Sequence, residues 1–421
     1  MRRSYSVISL GCPKNRVDSE RYQWILQRAG LTDAVNTESA DLIILNTCAF
    51  IAPAAEESLD YMADLIEWKR RKEGRELVVA GCLPGRYSDD GSGGLEDIDL
   101  LLGPEDWQGL ARWLGTIPPD VSLVCGTGPY RYLKIAEGCS NSCAYCTIPS
   151  IRGRFRAVDS ETVLAESDLL VRQGAMELGL VAQDAGRWSS GEKNLFQLAE
   201  ELAVRHPDRW IRLYYLHPAH IPDGLEELLT CHSNIVPYLD IPVQHVSSKV
   251  LKRMGRGYGE EHLRRLMDSI ERINLDIAVR MTVITGYPGE THSDFQLLRT
   301  FLGDYPSLRH IAAFMWYPEE GTLEQKRTVE LCDAVEYGVA ASRLAELSSI
   351  GDAAYSAWDT RLEGQIVTVL ADDDNSGHTL WDAPEVDSVV TFTEKVKAGT
   401  FVKSRILDSS GAVIVAEPAD S

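Results

Sequence analysis

Three cysteines, Cys139, Cys143 and Cys146, stand at i, i+4 and i+7 directly behind an apolar run, Tyr132-Leu-Lys-Ile-Ala-Glu-Gly138. Thiolates are the protein ligands of iron–sulfur clusters. Three of them leave one iron of a four-iron cluster open, and an open coordination position is where a metal site can do chemistry. A zinc site is the competing reading. Structural zinc takes four ligands, often as two close pairs, and no second pair lies nearby.

A second set is spread through the first 125 residues. Strands are expected at 4–10, 41–46 and 76–80, with helices at about 18–28, capped by Asp18 or Ser19, and at about 53–71. A fourth apolar run covers 97–102. The β-α-β-α-β order implies a parallel sheet with right-handed crossovers. Cys12, Cys48 and Cys82 each follow one of these strands. Parallel strands end on a common edge, where such sheets place their ligands, so cysteines about 35 residues apart in sequence should meet in space as another three-thiol set. The bland alternative is that each is a small buried hydrophobe. Cys125, Cys231 and Cys332 are isolated and are assigned to core or surface.

From about 126 to 361 strands at 132–138, 177–183, 210–216, 238–243, 277–285 and 310–316 alternate with helices near 160–173, 192–205, 223–231, 259–273, 291–303 and 334–358. Six β-α units predict an incomplete parallel barrel. Polar residues gather at the strand ends: Gln183 and Asp184, His217, Gln244 and His245, and Thr285-Gly-Tyr-Pro-Gly-Glu-Thr291, with Arg280 inside its strand. In β/α barrels that edge carries the site. Gly286 and Gly289 would let backbone approach a ligand, and Thr291 could cap the next helix. Lys14, Arg152, Arg154 and Arg156 form a modest basic grouping near both thiol sets.

From 362 onward, short β runs at 365–371, 378–383, 388–394, 399–406 and 412–416 predict a small barrel. This segment has 11 acidic against 4 basic residues, which is not the cationic groove that nucleic-acid binding uses. The whole chain of 421 residues carries a net charge of −21. That favours a basic protein or peptide partner over nucleic acid. No apolar run reaches membrane-span length. Met-Arg-Arg-Ser-Tyr leads into no signal-peptide core. With nine cysteines suited to metal rather than disulfides, a cytoplasmic location is expected.

The order of segments resembles the methylthiotransferase family of radical S-adenosylmethionine (SAM) enzymes. The C-x3-C-x2-C spacing with Tyr145 before the last cysteine carries the radical SAM part. Nearly the full length is covered, through Ser9-Leu-Gly-Cys-Pro-Lys-Asn-Arg-Val-Asp-Ser-Glu20, Asn46-Thr-Cys-Ala-Phe-Ile51, Ala80-Gly-Cys-Leu83, Leu133-Lys-Ile-Ala-Glu-Gly-Cys139, Ile148-Pro-Ser-Ile-Arg-Gly153, Tyr238-Leu-Asp-Ile-Pro-Val-Gln-His245, Gly286-Tyr-Pro-Gly-Glu-Thr291 and Asp382-Ala-Pro-Glu-Val-Asp387. Within the family it is similar to the RimO branch, which methylthiolates an aspartate β-carbon in small-subunit ribosomal protein twelve. It is less similar to the tRNA-modifying MiaB branch. Departures fall at Ala157-Val-Asp159, at Asp184-Ala-Gly-Arg-Trp188 and at Ser409-Ser-Gly-Ala-Val413.

The resemblance implies an α/β chain in three parts: an N-terminal α/β methylthiotransferase domain (1–125), a partial (β/α)6 radical SAM core (126–361) and a C-terminal all-β TRAM barrel (362–421). It implies two [4Fe-4S] clusters, one on Cys139, Cys143 and Cys146 and one on Cys12, Cys48 and Cys82, and two SAM molecules per turnover. One SAM would supply the radical and the other the methyl group of the transferred sulfur. Tyr145, Gln183, His217, Gln244 and Gly286 are the cofactor-binding candidates, and Lys14 and Arg280 the catalytic ones. A flavodoxin- or ferredoxin-type electron donor is implied. Other substrates remain open to the same chemistry, namely a biosynthetic peptide, a small metabolite or a tRNA adenosine. A non-catalytic iron–sulfur protein is the reading from another class.

Overall fold

The computed structural model describes residues 3–87, 96–116, 126, 128–410 and 412–419; Cys125 lies outside them. The chain divides into two compact units. One comprises 1–127, 132–141 and 147–168, and the other 128–131, 142–146 and 169–421.

The first unit is built on a parallel sheet of β1 (Ser4–Ser9), β2 (Thr32–Asp33), β3 (Leu42–Thr47), β4 (Glu76–Gly81) and β5 (Leu100–Leu102), in the order β2-β1-β3-β4-β5. Every residue of β3 is buried, as expected of a parallel strand covered on both faces. Two clusters provide the cover. On one side α1 (Pro13–Arg28) and α4 (Trp107–Trp113) contribute Tyr22, Ile25, Leu26, Leu110 and Ala111. On the other, α2 (Ala52–Arg70) contributes Leu65 and Trp68. Helix α1 begins five residues before the expected start. Pro13 occupies its first position and Cys12 its N-cap, because proline lacks the N–H that a first turn cannot use and its φ is already helical. Asp18 and Ser19 are therefore buried helix-interior residues, not caps. The short helices α3 (Cys82–Tyr87) and α5 (Ile148–Arg152) also belong here.

The expected single strand at 132–138 is two. β6 (Tyr130–Lys134) joins the central sheet, and β7 (Ala136–Glu137) pairs with β8 (Arg156–Ala157). Helix α6 (Ser160–Arg172) follows. The second unit continues with β9 (Glu177–Val181), a small hairpin of β10 (Ser189–Ser190) and β11 (Lys193–Asn194), α7 (Leu195–Arg205), β12 (Trp210–Leu213), α8 (Leu225–Cys231) and β13 (Ile235–Gln244). Then come α9 (Ser248–Met254), α10 (Glu260–Glu271), β14 (Ala278–Thr285), α11 (His292–Gly303), β15 (Leu308–Met315), α12 (Leu323–Leu331) and α13 (Tyr337–Leu362). The six large strands run in the order β15-β14-β13-β12-β9-β6, and the sheet stays open. Thr291 caps α11, its side chain accepting from the Asp294 N–H in a reciprocal box. Helices α9 and α12 are additions to the expected pattern, each too short to announce itself by periodicity.

The last five strands, β16 (Ile366–Ala371), β17 (Ser376–Thr379), β18 (Val389–Phe392), β19 (Phe401–Ser410) and β20 (Val413–Pro418), close into the expected barrel. Its core is Val367, Val369, Val390, Phe392, Ile406 and Ile414. Buried charge holds it to the central strands of the same unit. Arg212 donates to Glu177 at 2.7 Å, and His378 of β17 meets the other Glu177 oxygen at 3.0 Å. Arg309 of β15 donates to Asp382 at 3.0 Å.

Candidate functional site

In the first unit the strand-end loops carry Cys12, Cys48 and Cys82, and polar side chains lock those loops. Asn15 Nδ2 donates to the carbonyls of Leu10 (2.9 Å) and Thr47 (2.7 Å). Thr47 Oγ1 donates to the Ala80 carbonyl (2.6 Å) and accepts from the Leu83 N–H (3.0 Å). Ser58 bonds both the N–H and the carbonyl of Cys48. Gly11 sits at φ +89°, and a Cβ there would lie 2.9 Å from the Cys48 sulfur. The backbone therefore approaches that thiol as no other residue would allow.

Burial, with Cys12 and Cys82 adding to it, pushes the Cys48 thiol up to about 11. Burial also raises Cys82, against Arg152, which hydrogen-bonds it. For Cys12 burial is outweighed by Lys14 and Arg152, and the thiol is held below its ordinary value. Lys14 thus stands where a cation favours a thiolate.

Arg152 belongs to a buried charge network that no local pattern announced. It donates to Asp18 (3.3 Å), to both oxygens of Glu137 (3.2 and 3.0 Å) and to Asn15. Lys134 joins Asp18, Glu105 (2.7 Å) and Glu137 (2.8 Å). Burial works against ionisation of Glu137, but Lys134 and Arg152 hold its carboxyl well below the usual range. Asp18, Glu105 and Glu137 have the spacing of a metal-binding triad, yet the Lys134 ammonium already supplies their cation. The available signal was a lysine and a glutamate within an apolar run. Of the basic grouping, Arg154 and Arg156 are exposed, and Arg156 pairs with Glu105 at 3.0 Å.

The Cys139–Cys146 loop passes from the first unit to the second. In the first unit the Cys139 N–H donates to the Gly153 carbonyl (3.1 Å), and the Asn141 N–H points at the Cys139 sulfur (3.5 Å). Gly138, at φ +75°, has no room for a Cβ, which would stand 2.3 Å from the Arg154 carbonyl oxygen. In the second unit the Ala144 N–H donates to Met254 O (2.9 Å) and its carbonyl accepts from the Glu324 N–H (2.8 Å). Tyr145 meets Tyr287 edge-on at 6.1 Å, and Tyr287 meets Trp316 at 6.0 Å. Arg256 reaches the Cys143 sulfur at 3.5 Å and the Tyr258 hydroxyl at 2.7 Å.

The other strand-end candidates divide. His217 packs edge-on against Tyr258 (5.5 Å) and stacks on His220 (4.6 Å). Its Nδ1 accepts the Ala219 N–H at 3.2 Å, and burial together with Arg256 keeps the ring neutral. His220 Nδ1 pairs with the buried Asp184 at 2.7 Å. These three could be drawn as metal ligands, but the Nδ1 of His217 is already committed to a backbone donor. Gln183 is half-buried two residues beyond β9. Gln244 ends β13 at φ +67°, a conformation unusual for a side-chain-bearing residue, and Gly286 follows β14 at φ +70°. His245 is fully buried, with Nδ1 accepting from the Ser247 N–H (2.9 Å). Arg280 does not join them. It is the third residue of β14, and its guanidinium is spent on Asp387 next to the C-terminal barrel. Asp387 also accepts from Tyr238 at 2.8 Å. Cys231 and Cys332 are exposed.

The donor sets suit iron–sulfur clusters. Each offers three free cysteines, with a cation beside a sulfur and glycine-lined close backbone.

Comparison with known proteins decides the family. Residues 4–103 match the family described as Uncharacterized protein family UPF0004, and residues 133–302 match the Radical SAM superfamily. The chain is 36% identical to the ribosomal protein uS12 methylthiotransferase RimO of Trichlorobacter lovleyi, over 98% of this chain and 97% of that one. It belongs to the RimO family of methylthiotransferases. The corresponding protein of Moorella thermoacetica is 37% identical over 91% of this chain and 92% of its own length. The one from Syntrophus aciditrophicus is 40% identical over 77% and 76%. Among solved structures, the radical SAM methyltransferase TsrM of Kitasatospora setae shares the fold at a TM-score of 0.57 and 14% identity, over 79% of this chain and 76% of that one. The RimO-family chain is therefore a radical SAM methylthiotransferase, an enzyme class that works with [4Fe-4S] clusters and SAM. Among the described residues no helix is long and apolar enough to cross a membrane.

Proposed function

We propose that this chain methylthiolates ribosomal protein uS12, at the β-carbon of an aspartate. The near full-length match to uS12 methylthiotransferases carries the reading. The placement of Cys12, Cys48 and Cys82 just after the neighbouring parallel strands β1, β3 and β4 supports it. The strongly acidic composition suits a basic ribosomal protein.

Cys139, Cys143 and Cys146 would hold the cluster whose open iron takes SAM, and Cys12, Cys48 and Cys82 the one that carries sulfur. The bound groups supply a 5′-deoxyadenosyl radical and a methylated sulfur. The chain's own residues orient and insulate. Gly138 and Ala144 fix the loop through backbone contacts. Tyr145, Tyr287 and Trp316 present an aromatic wall, which helps keep water from a radical. Gln183, His217, Gln244 and Gly286 at the strand ends are proposed to bind SAM. Lys14 favours the thiolate form of Cys12. A flavodoxin- or ferredoxin-type protein would deliver electrons, in the cytoplasm. The three-part division at 125 and 361 is kept as a functional one: sulfur carrier, radical generator and substrate-side barrel.

The deciding experiment is mass spectrometry of uS12 from cells lacking this protein. Loss of the methylthio mass increment, restored by the wild-type gene, is the expected result. An unchanged uS12 mass would sink the substrate assignment.

A further inference from the structure

Arg256 is buried, 9% exposed, and each acceptor it bonds is neutral or a thiol. Nε donates to the Tyr258 hydroxyl at 2.7 Å, Nη2 to the Pro242 carbonyl at 2.7 Å, and Nη1 to the Cys143 sulfur at 3.5 Å. The Tyr258 hydroxyl in turn donates to the Val243 carbonyl at 2.9 Å, so two strand-end carbonyls hold the guanidinium in place. Three other buried arginines of the same unit have a carboxylate: Arg212 has Glu177, Arg309 has Asp382, and Arg343 has Glu290. A buried charge without a counter-ion is costly, and structures avoid it unless an anion completes the site. The acceptor facing Nη1 is a cluster cysteine.

Arg152, beside the other thiol set, is arranged differently. It hydrogen-bonds Cys82 but shares its charge with Asp18 and Glu137.

We propose that Arg256 is the fixed counter-charge of the Cys139/Cys143/Cys146 set and makes the cluster held there easier to reduce, so that the incoming electron is directed to the radical-generating site. The inference rests on the proposed assignment of a cluster to these cysteines. A three-thiolate set gains one negative charge when a one-electron flavin or iron–sulfur donor is oxidised and the cluster takes up its electron. A cation at hydrogen-bond distance from a ligand sulfur stabilises that added charge, and hydrogen bonds to sulfur are among the levers that set cluster potentials. The carboxylates around Arg152 cancel the same effect at the other set. Arg256 is on this account a positioning and tuning residue that acts through Cys143.

The test is an anaerobic redox titration of the protein with both clusters reconstituted, read by electron paramagnetic resonance. Cys12→Ala and Cys139→Ala proteins provide the reference signal of each single cluster. In Arg256→Gln the SAM-loop cluster should show at least a tenfold lower reduced-to-oxidised ratio at fixed potential, equivalent to 59 mV for a one-electron couple. The other cluster should keep its midpoint. Arg256→Lys, which keeps the charge, should restore most of the shift. Should the Gln variant fail to hold iron, Tyr258→Phe, which removes one anchor of the guanidinium, should move the same midpoint in the same direction by less. An unchanged midpoint in iron-loaded Gln or Phe variants overturns the proposal. So does an equal shift in both clusters, or lost SAM affinity at an unchanged midpoint. A wild-type protein holding a single cluster, or a Cys139→Ala protein retaining both, would instead overturn the cluster assignment.

Discussion

The two three-thiol sets solve one coordination problem by opposite means. Cys139, Cys143 and Cys146 lie within eight residues, and their geometry is a matter of one loop and its backbone contacts. Cys12, Cys48 and Cys82 span 71 residues and follow three neighbouring parallel strands that end on one edge. The local set stands beside an arginine that has no carboxylate partner among the described residues. The dispersed set stands beside one shared with two carboxylates. The difference teaches that a local motif needs little from the fold to form but much from its surroundings to be tuned. A dispersed motif depends on sheet register, and its charge must be balanced to allow burial.

The hardest blow to this comparison falls on the local set. Cys139→Ala should abolish reductive SAM cleavage while the dispersed set keeps its own iron, about four per chain. Iron analysis and 5′-deoxyadenosine formation check this, and loss of all the iron would show the sets to be interdependent. Next in size is Lys134→Met. It strips the ammonium from buried Asp18 and Glu137, and breaking one side of a buried pair costs about 3–5 kcal/mol. Denaturant unfolding should show that loss. Gly11→Ala should be milder for stability, about 1–2 kcal/mol for a left-handed conformation. Because its Cβ would press on Cys48, it should cost iron at the dispersed set and leave the local set loaded.

The smallest effect is a control that touches neither set. Burial disfavours a charged His378, but Glu177 and Asp372 raise it to about 9. Burial likewise opposes ionised Glu177, which Arg212 and His378 lower to about 2. The histidine's contribution is complete below its unfolded value near 6.5 and fades as pH rises toward 9. The glutamate's is complete above 4.5 and is lost only as pH falls toward 2. Thermal unfolding of the barrel-containing unit should therefore weaken between pH 6.5 and 9, and His378→Gln should flatten that slope. Cluster content should not follow the same curve. If it does, barrel and clusters unfold as one.

The alternation of strands and helices and the terminal barrel were legible because each is written locally, as a period or a turn. The start of α1 was missed because Pro13 outweighed the polar caps that followed it. Helices α9 and α12 are too brief to show a period. Arg280, expected inside its strand, pairs with Asp387, 107 residues away, a partner that no local pattern announces.

By itself the sequence determined which family the motifs resemble, the cofactors that family uses and which thiols are candidates to hold them. Tertiary structure alone decided which charge answers which. Asp18 finds Lys134 across 116 residues, and Arg256 finds a sulfur. Coulombic pairing in a buried site depends on distances that no linear spacing encodes, and there the partners of two arginines, Arg256 and Arg152, separate two otherwise similar sets of thiols.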